Sequence, residues 1–180
     1  MKKERIPPVQ TRLAAAYKRY ILFLSQQQGK DEDLVIFDAQ NGTFISVKTG
    51  LSLFQRHRFS FCYWKDNIFV LYGGTLIPPG MYYADAKPDL DVHFLYVIEK
   101  DGRFSWNSHN NTFSPGQVSI EVESCHLEDP ELWMSHHSAQ IYQNQMYVIG
   151  KKSQDRNHPI IVNKFDLSKT KLSSSPYSCR

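Results

Sequence analysis

The stretch that decides the fold is Ser60-Phe61-Cys62-Tyr63-Trp64-Lys65-Asp66-Asn67-Ile68-Phe69-Val70-Leu71-Tyr72-Gly73-Gly74. It reads as an aromatic-rich strand, a polar turn at Asp66-Asn67, a strongly apolar strand and a glycine stop. Runs of four to six residues rich in β-branched and aromatic side chains, bounded by turn residues, are strands rather than helices. The same order recurs on both sides. Upstream, Ala14-Ala15-Ala16-Tyr17 passes through Lys18-Arg19 into Tyr20-Ile21-Leu22-Phe23. Downstream, Ser138-Ala139-Gln140-Ile141-Tyr142 passes through Gln143-Asn144 into Gln145-Met146-Tyr147-Val148-Ile149-Gly150.

Each unit is followed by a further apolar strand ending in an acid: Leu34 to Asp38, His93 to Glu99, and Ile161 to Asp166. The first two then run through Gly42 or Gly102 into a fourth strand holding Phe44 or Phe104, whereas the third has Ser168-Lys169-Thr170-Lys171. Internal repetition of this kind marks a repeat architecture, and four antiparallel strands per unit is the pattern of a propeller blade. The expectation is an all-β chain of three blades at about 7–50, 51–115 and 116–173, with tails at 1–6 and 174–180. Glycine after the second strand provides a positive φ or lets another backbone approach closely.

These residues resemble the kelch repeat. The resemblance rests on Gly73-Gly74 after an apolar strand, Tyr96 on the third strand, Trp106 on the fourth, Arg56-His57 ahead of the second unit, and Gly150 in the third. Ser25-Gln26 and Gly150-Lys151 depart from the double glycine in the outer units. The resemblance implies a partial kelch-type β-propeller that acts as a protein-interaction scaffold and not as an enzyme. Propellers usually close with about four to eight blades, so three need additional blades or a second chain. A narrower resemblance is to the kelch domains of accessory subunits of V(D)J-type DNA recombinases. It rests on the double glycine, the long Pro-containing loop, His93-Phe94-Leu95-Tyr96-Val97-Ile98 and a distant Ser-His strand. It implies a non-catalytic accessory subunit of a recombinase or transposase, with nucleic acid contacted indirectly.

Composition bounds the chemistry. The 180 residues carry a net charge of +3, 41% hydrophobic and 22% charged residues. That supplies a core and gives no electrostatic mandate for nucleic acid. Cys62, Cys125 and Cys179 form no C-x-x-C pair, which argues against zinc and redox motifs. The odd count and a start at Met1–Pro8 without an apolar core lead to an intracellular expectation, cytoplasmic or nuclear, with no membrane span. Asn41-Gly42-Thr43 and Asn110-Asn111-Thr112 read as turns. No nucleophile elbow, P-loop or dinucleotide fingerprint occurs.

Metal and cofactor readings are weak. His136 and His137 are adjacent on a strand and point to opposite faces, so they do not share one ion. Asp85, Asp89 and Asp91 lack an EF-hand frame and read as a solvated loop. Some kelch-like propellers are copper oxidases using Tyr, Cys and His ligands, but packing on an inner strand accounts for Cys62 and Tyr63. No cofactor and no metal are expected.

The contact candidates sit in loops. Thr75 to Asp91 is far longer than a hairpin turn of about two to five residues. It offers Met81, Tyr82 and Tyr83 beside Pro78-Pro79, aromatic and adaptable surface on a stiffened turn. Asn107 to Ser135 holds Trp133 and Met134. Lys151, Lys152 and Arg156 form a basic cluster able to meet phosphate.

Overall fold

The computed structural model describes residues 9–25, 34–51, 53–77, 87–99, 105–107, 112–114, 118–126, 134, 136–151 and 159–169. Among them the chain is all-β, with one short 3-10 turn at Leu53–Gln55 and no α-helix. The strands are β1 (Val9–Tyr17), β2 (Tyr20–Ser25), β3 (Leu34–Asp38), β4 (Thr43–Val47), β5 (Arg56–His57), β6 (Ser60–Lys65), β7 (Ile68–Tyr72) and β8 (Thr75–Leu76). They continue as β9 (Lys87–Pro88), β10 (Asp91–Glu99), β11 (Ser105–Asn107), β12 (Thr112–Ser114), β13 (Val118–His126), β14 (His136–Tyr142), β15 (Gln145–Lys151) and β16 (Ile161–Asp166).

Two sheets have four strands, in the orders β1-β2-β3-β4 and β13-β10-β7-β6; β14-β15-β16 and β5-β8-β9 have three, and β11-β12 form a ribbon. No sheet closes on itself among the described residues. The expected fourth strand of the middle unit, the one carrying Trp106, instead lies in the β11-β12 ribbon, where Trp106 pairs with Phe113. The fourth position beside β10 belongs to β13, beyond the expected boundary at 115. The reason is pattern and length. Val118, Ile120 and Val122 alternate with polar residues over a nine-residue strand, long enough to pair with nine-residue β10, whereas β11 has three residues. Among the described residues the last unit's sheet has three strands, where four were expected.

The three hairpins that the sequence aligns share one turn geometry. Lys18, Asp66 and Gln143 each open a two-residue loop with φ of 51°, 50° and 56°, the left-handed conformation that matches strand twist in tight hairpins. The next carbonyl in each loop accepts an amide from the third strand of the same repeat or from the residue just after it. Ala39 N–H donates to Arg19 O at 2.8 Å, Val97 to Asn67 at 2.9 Å and Leu167 to Asn144 at 2.8 Å. In the first and last units an aspartate caps the following turn. Asp38 Oδ1 accepts from the amide of Gln40, and Asp166 Oδ1 from that of Ser168. Aspartate at such a position replaces a backbone turn bond with a side-chain one.

The chain divides into two compact units. The first comprises Met1–Phe54, Lys65–Ile68 and Leu95–Val122, and the second Gln55–Trp64, Phe69–Phe94 and Glu123–Arg180. In the first unit one face of the β1–β4 sheet buries Tyr20, Leu22, Leu24, Leu34 and Ile36. Its other face holds the cross-strand rows Ala16–Ile21–Phe37–Phe44 and Ala14–Phe23–Val35–Ser46. Ile21, Phe23, Phe37 and Phe44 are half-buried there, with the Phe37 and Phe44 rings 4.8 Å apart.

The second unit has its own core of Phe59, Phe61, Trp64, Phe69, Tyr72, Phe94, Met146 and Val148. Phe61 stacks on Phe69 at 5.5 Å, and Trp64 meets Phe94 at 5.9 Å. Each such ring taken out of water contributes about 2–3 kcal/mol. Every residue of β7 is buried, so both of its faces are covered. β15 alternates instead: Met146 and Val148 are buried, while Ile149 is exposed.

Candidate functional site

The densest group of chemically competent side chains lies in the second unit around Arg56, Asp89, His93 and Ser124. β5, β8 and β9 form a small sheet in which Arg56 pairs with Leu76 and Thr75 with Pro88. Asp89 follows β9, its amide donating to the carbonyl of Gly74 at 3.0 Å. His93 stands on β10 and Ser124 on β13, neighbouring strands of one sheet.

Arg56, Asp89 and His93 are all buried. Asp89 Oδ2 meets Arg56 Nη1 in an ion pair and His93 Nε2 at 2.9 Å. Asp89 Oδ1 accepts from the amide of Asp91 at 3.0 Å. The carboxylate is therefore engaged on both oxygens. Arg56 Nη1 also lies 3.4 Å from the carbonyl of Gly73, and its buried Nε has no hydrogen-bond partner.

The ring of His93 reads as neutral. Burial above all, and then the positive Arg56, push its pKa down to about 4, with Asp91 opposing. A carboxylate only accepts, so Nε2 carries the ring proton and donates it to Asp89. Nδ1 then accepts from the Ser124 hydroxyl at 2.7 Å, as a neutral imidazole has one donor and one acceptor. Arg56 is brought down to about 10 by burial, against the pull of Asp91, and stays charged near neutrality. Asp91 in turn contacts the exposed His126 at 2.7 Å.

Two chemical readings of this cluster meet opposing features around Asp89 and His93. Ligand atoms of Asp89, Asp91 and His93 lie within 4.8 Å of one another, as a cation site requires. Yet Asp89 already faces a guanidinium and an imidazole N–H, and a divalent ion there would meet the Arg56 charge. The row Ser124–His93–Asp89 has the residue types of a hydrolytic triad. Its base, held near 4, is poorly matched to proton abstraction at neutral pH, and its carboxylate is engaged by Arg56. The cluster is built to satisfy a buried ion pair. The expectation of a solvated acidic loop also fails at Asp89, which is buried because Arg56 and His93 draw it in; Asp85 lies outside the described residues.

Beside the cluster, the double glycine takes the positive-φ geometry expected of it. Gly73 and Gly74 have φ of +69° and +91°. A Cβ on Gly74 would stand 2.6 Å from the carbonyl oxygen of His57, and one on Gly73 would stand 2.8 Å from Cε1 of His137. His137 faces two carbonyls, Met134 O at 3.0 Å from Nδ1 and Tyr72 O at 3.2 Å from Nε2. Its ring meets Tyr72 edge-on at 5.2 Å.

The remaining sequence-singled residues are dispersed. Met134 is fully buried, which makes it core and not a solvent-facing anchor; the carbonyl of its own backbone is the part that His137 uses. Met81, Tyr82, Tyr83, Trp133, Lys152 and Arg156 lie outside the described residues. Lys151 ends β15, opposite His136, and Gly150 pairs with His137 and Ile161. Tyr96 is half-buried on β10. Cys62 donates to Ala139 O at 3.1 Å, and burial pushes its thiol up to about 11. Cys62 and Tyr63 are consecutive on β6 and face opposite sides.

Sequence reasoning singled out Arg56 through its place before the second unit, but not its partner, and it did not single out His93 or Ser124 as a pair. No periodicity links positions 56, 89, 93 and 124. The one available signal was His93 within the otherwise apolar run Val92–Ile98, since polar groups are rarely buried without partners.

A second feature is a surface. On the outer side of β14–β16, Ile149 pairs with Val162 across the strands, and they are 51% and 60% exposed. Ile160 and Tyr142 are exposed as well, and Lys164 Nζ lies 5.8 Å over the ring of Tyr147. The inner side is covered: Val148 and Ala139 are buried, and Phe165 meets Tyr72 at 5.2 Å.

Compared with known proteins, the chain matches no protein-family model and no curated relative. Among the described residues no helix is long and apolar enough to cross a membrane.

Proposed function

We propose that the chain is a kelch-type, non-catalytic interaction scaffold whose blades are completed by a second copy of itself. The observation that carries this reading is the exposed Ile149–Val162 pair on the outer side of a sheet whose inner side is already covered. An exposed apolar patch on a sheet marks an interaction surface. The three matching hairpin turns and third-strand bonds support a blade-like repeat. In such repeats each unit relies on its neighbour to cover a face.

The occupant follows from what the same chain presents elsewhere. The β1–β4 sheet has a half-buried aromatic face of Ile21, Phe23, Phe37 and Phe44, beside the exposed Ala14 and Ala16. Head-to-tail contact between copies covers this face and the Ile149–Val162 face together. Sheets stack face to face in this manner about 10 Å apart. Such a contact is heterologous, and closes into a ring if the rotation permits. The loops at the blade ends then carry contacts to further protein partners.

Substitution of Ile149 and Val162 by Lys tests the reading. The change places two charges in the contact and leaves the covered inner side untouched. Sedimentation velocity is expected to show association of the wild type and its loss in the double variant, with unchanged far-ultraviolet circular dichroism. Equal association of both proteins would remove this face from the account.

A further inference from the structure

We propose that the Arg56–Asp89–His93–Ser124 cluster is an acid-sensitive latch, which ties β5, the end of β9 and the start of β10 together near neutrality and releases them on mild acidification. The device lies in the second unit and does not depend on the self-association proposed above.

The geometry carries it. His93 is a buried ring with a guanidinium nitrogen 3.3 Å from Nε2. Its other nitrogen accepts from Ser124. A second ring proton must turn the Ser124 hydroxyl round and set a cation beside Arg56, on a carboxylate whose oxygens are already taken. The charged and titratable groups around the ring are Arg56 from β5, Asp89 after β9, Asp91 on β10, and His126 on β13, where His126 is drawn to Asp91. Glu123 alternates to the other face of β13. One guanidinium and two carboxylates surround the ring, and burial, together with Arg56, favours its neutral form over the pull of Asp91.

The direction of the pH effect follows. His93 is depressed in the fold to about 4 from an ordinary 6.5. The unfolded chain therefore takes up this proton first as pH falls. Stability from the latch is complete above about 6.5 and declines down to about 4, the window between the two values. Between pH 7 and pH 5 one such group raises the unfolding constant about twentyfold.

Urea unfolding of the full chain at pH 7 and pH 5, for the wild type and His93→Asn, reads this out. The expected result is that acidification raises the wild-type unfolding constant about twentyfold more than that of the variant. His57, His126 and His137 are present in both proteins and cancel in the comparison. Equal pH dependence would overturn the proposal. Should His93→Asn fail to fold, nitrogen chemical shifts of the wild-type ring decide: a neutral His93 at pH 5.5 supports the latch and an imidazolium contradicts it. Hydrogen exchange then tests release. The amides of Asp89 and Asp91 are expected to lose protection between pH 7 and pH 5, once the intrinsic pH effect is removed. Unchanged protection of these two amides would also overturn it.

Discussion

Gly74 passes under the carbonyl of His57 so closely that a Cβ built on it would stand 2.6 Å from that oxygen. The obstacle is backbone, which has little room to give, and the φ of +91° is itself a glycine conformation. Gly74→Ala is therefore expected to destabilise the chain by about 3 kcal/mol or more, combining strain and overpacking. The urea midpoint measures it, and a loss near that of an ordinary surface substitution would contradict the geometry.

Gly73 differs in what it meets. Its added Cβ would approach Cε1 of His137, a side-chain atom, at 2.8 Å. Gly73→Ala is expected to cost about 1–2 kcal/mol. Part of that should vanish in a His137→Ala background, because the ring is then gone. A double-mutant cycle reads the coupling. Strict additivity would mean the two residues do not meet.

Removing one member of the buried ion pair leaves the other charge stranded. Arg56→Met or Asp89→Asn alone is expected to cost about 3–5 kcal/mol. Arg56→Met combined with Asp89→Asn should cost clearly less than the sum of the single changes, since no lone charge remains. Chemical denaturation of the three variants provides the comparison, and a double variant as unstable as the sum would show that the groups do not act as a pair.

Cys62 is held as a thiol, its pKa raised by burial to about 11 from 9.0. The thiolate is the reactive form. At pH 8 the thiolate fraction falls about hundredfold against an ordinary cysteine, from this shift alone. Peptide mapping after brief alkylation should find Cys62 unmodified in the native chain and modified in urea. Rapid native labelling of Cys62 would mean the β6 packing is wrong.

What was legible in the sequence was local. Asp66-Asn67 and Gln143-Asn144 announced their hairpins, and the apolar run Ile68–Tyr72 announced a strand, though not its burial along its whole length. Gly73-Gly74 announced a backbone that no side chain fits. Strand pairing across longer distances was not legible. Phe104 and Trp106 looked like the fourth strand because they followed Gly102, yet β13 holds that place, its apolar Val118, Ile120 and Val122 alternating with Ser119, Glu121 and Glu123. The Arg56–Asp89–His93–Ser124 cluster depends on four positions brought together only by folding. Asp89 looked solvated because it stands with Asp85 and Asp91 in a long loop, and burial is decided by what packs on it from elsewhere. The open face of β14–β16 was half-visible: Ile149 and Val162 read as strand residues, but their exposure depends on a partner.

The most direct test of the account is the molar mass of the purified wild-type chain, by light scattering across a range of concentrations. The account predicts a mass above that of the monomer, rising with concentration, and a monomer at every concentration for the Ile149→Lys, Val162→Lys variant. A folded wild type that remains at the monomer mass throughout would contradict completion by a second copy.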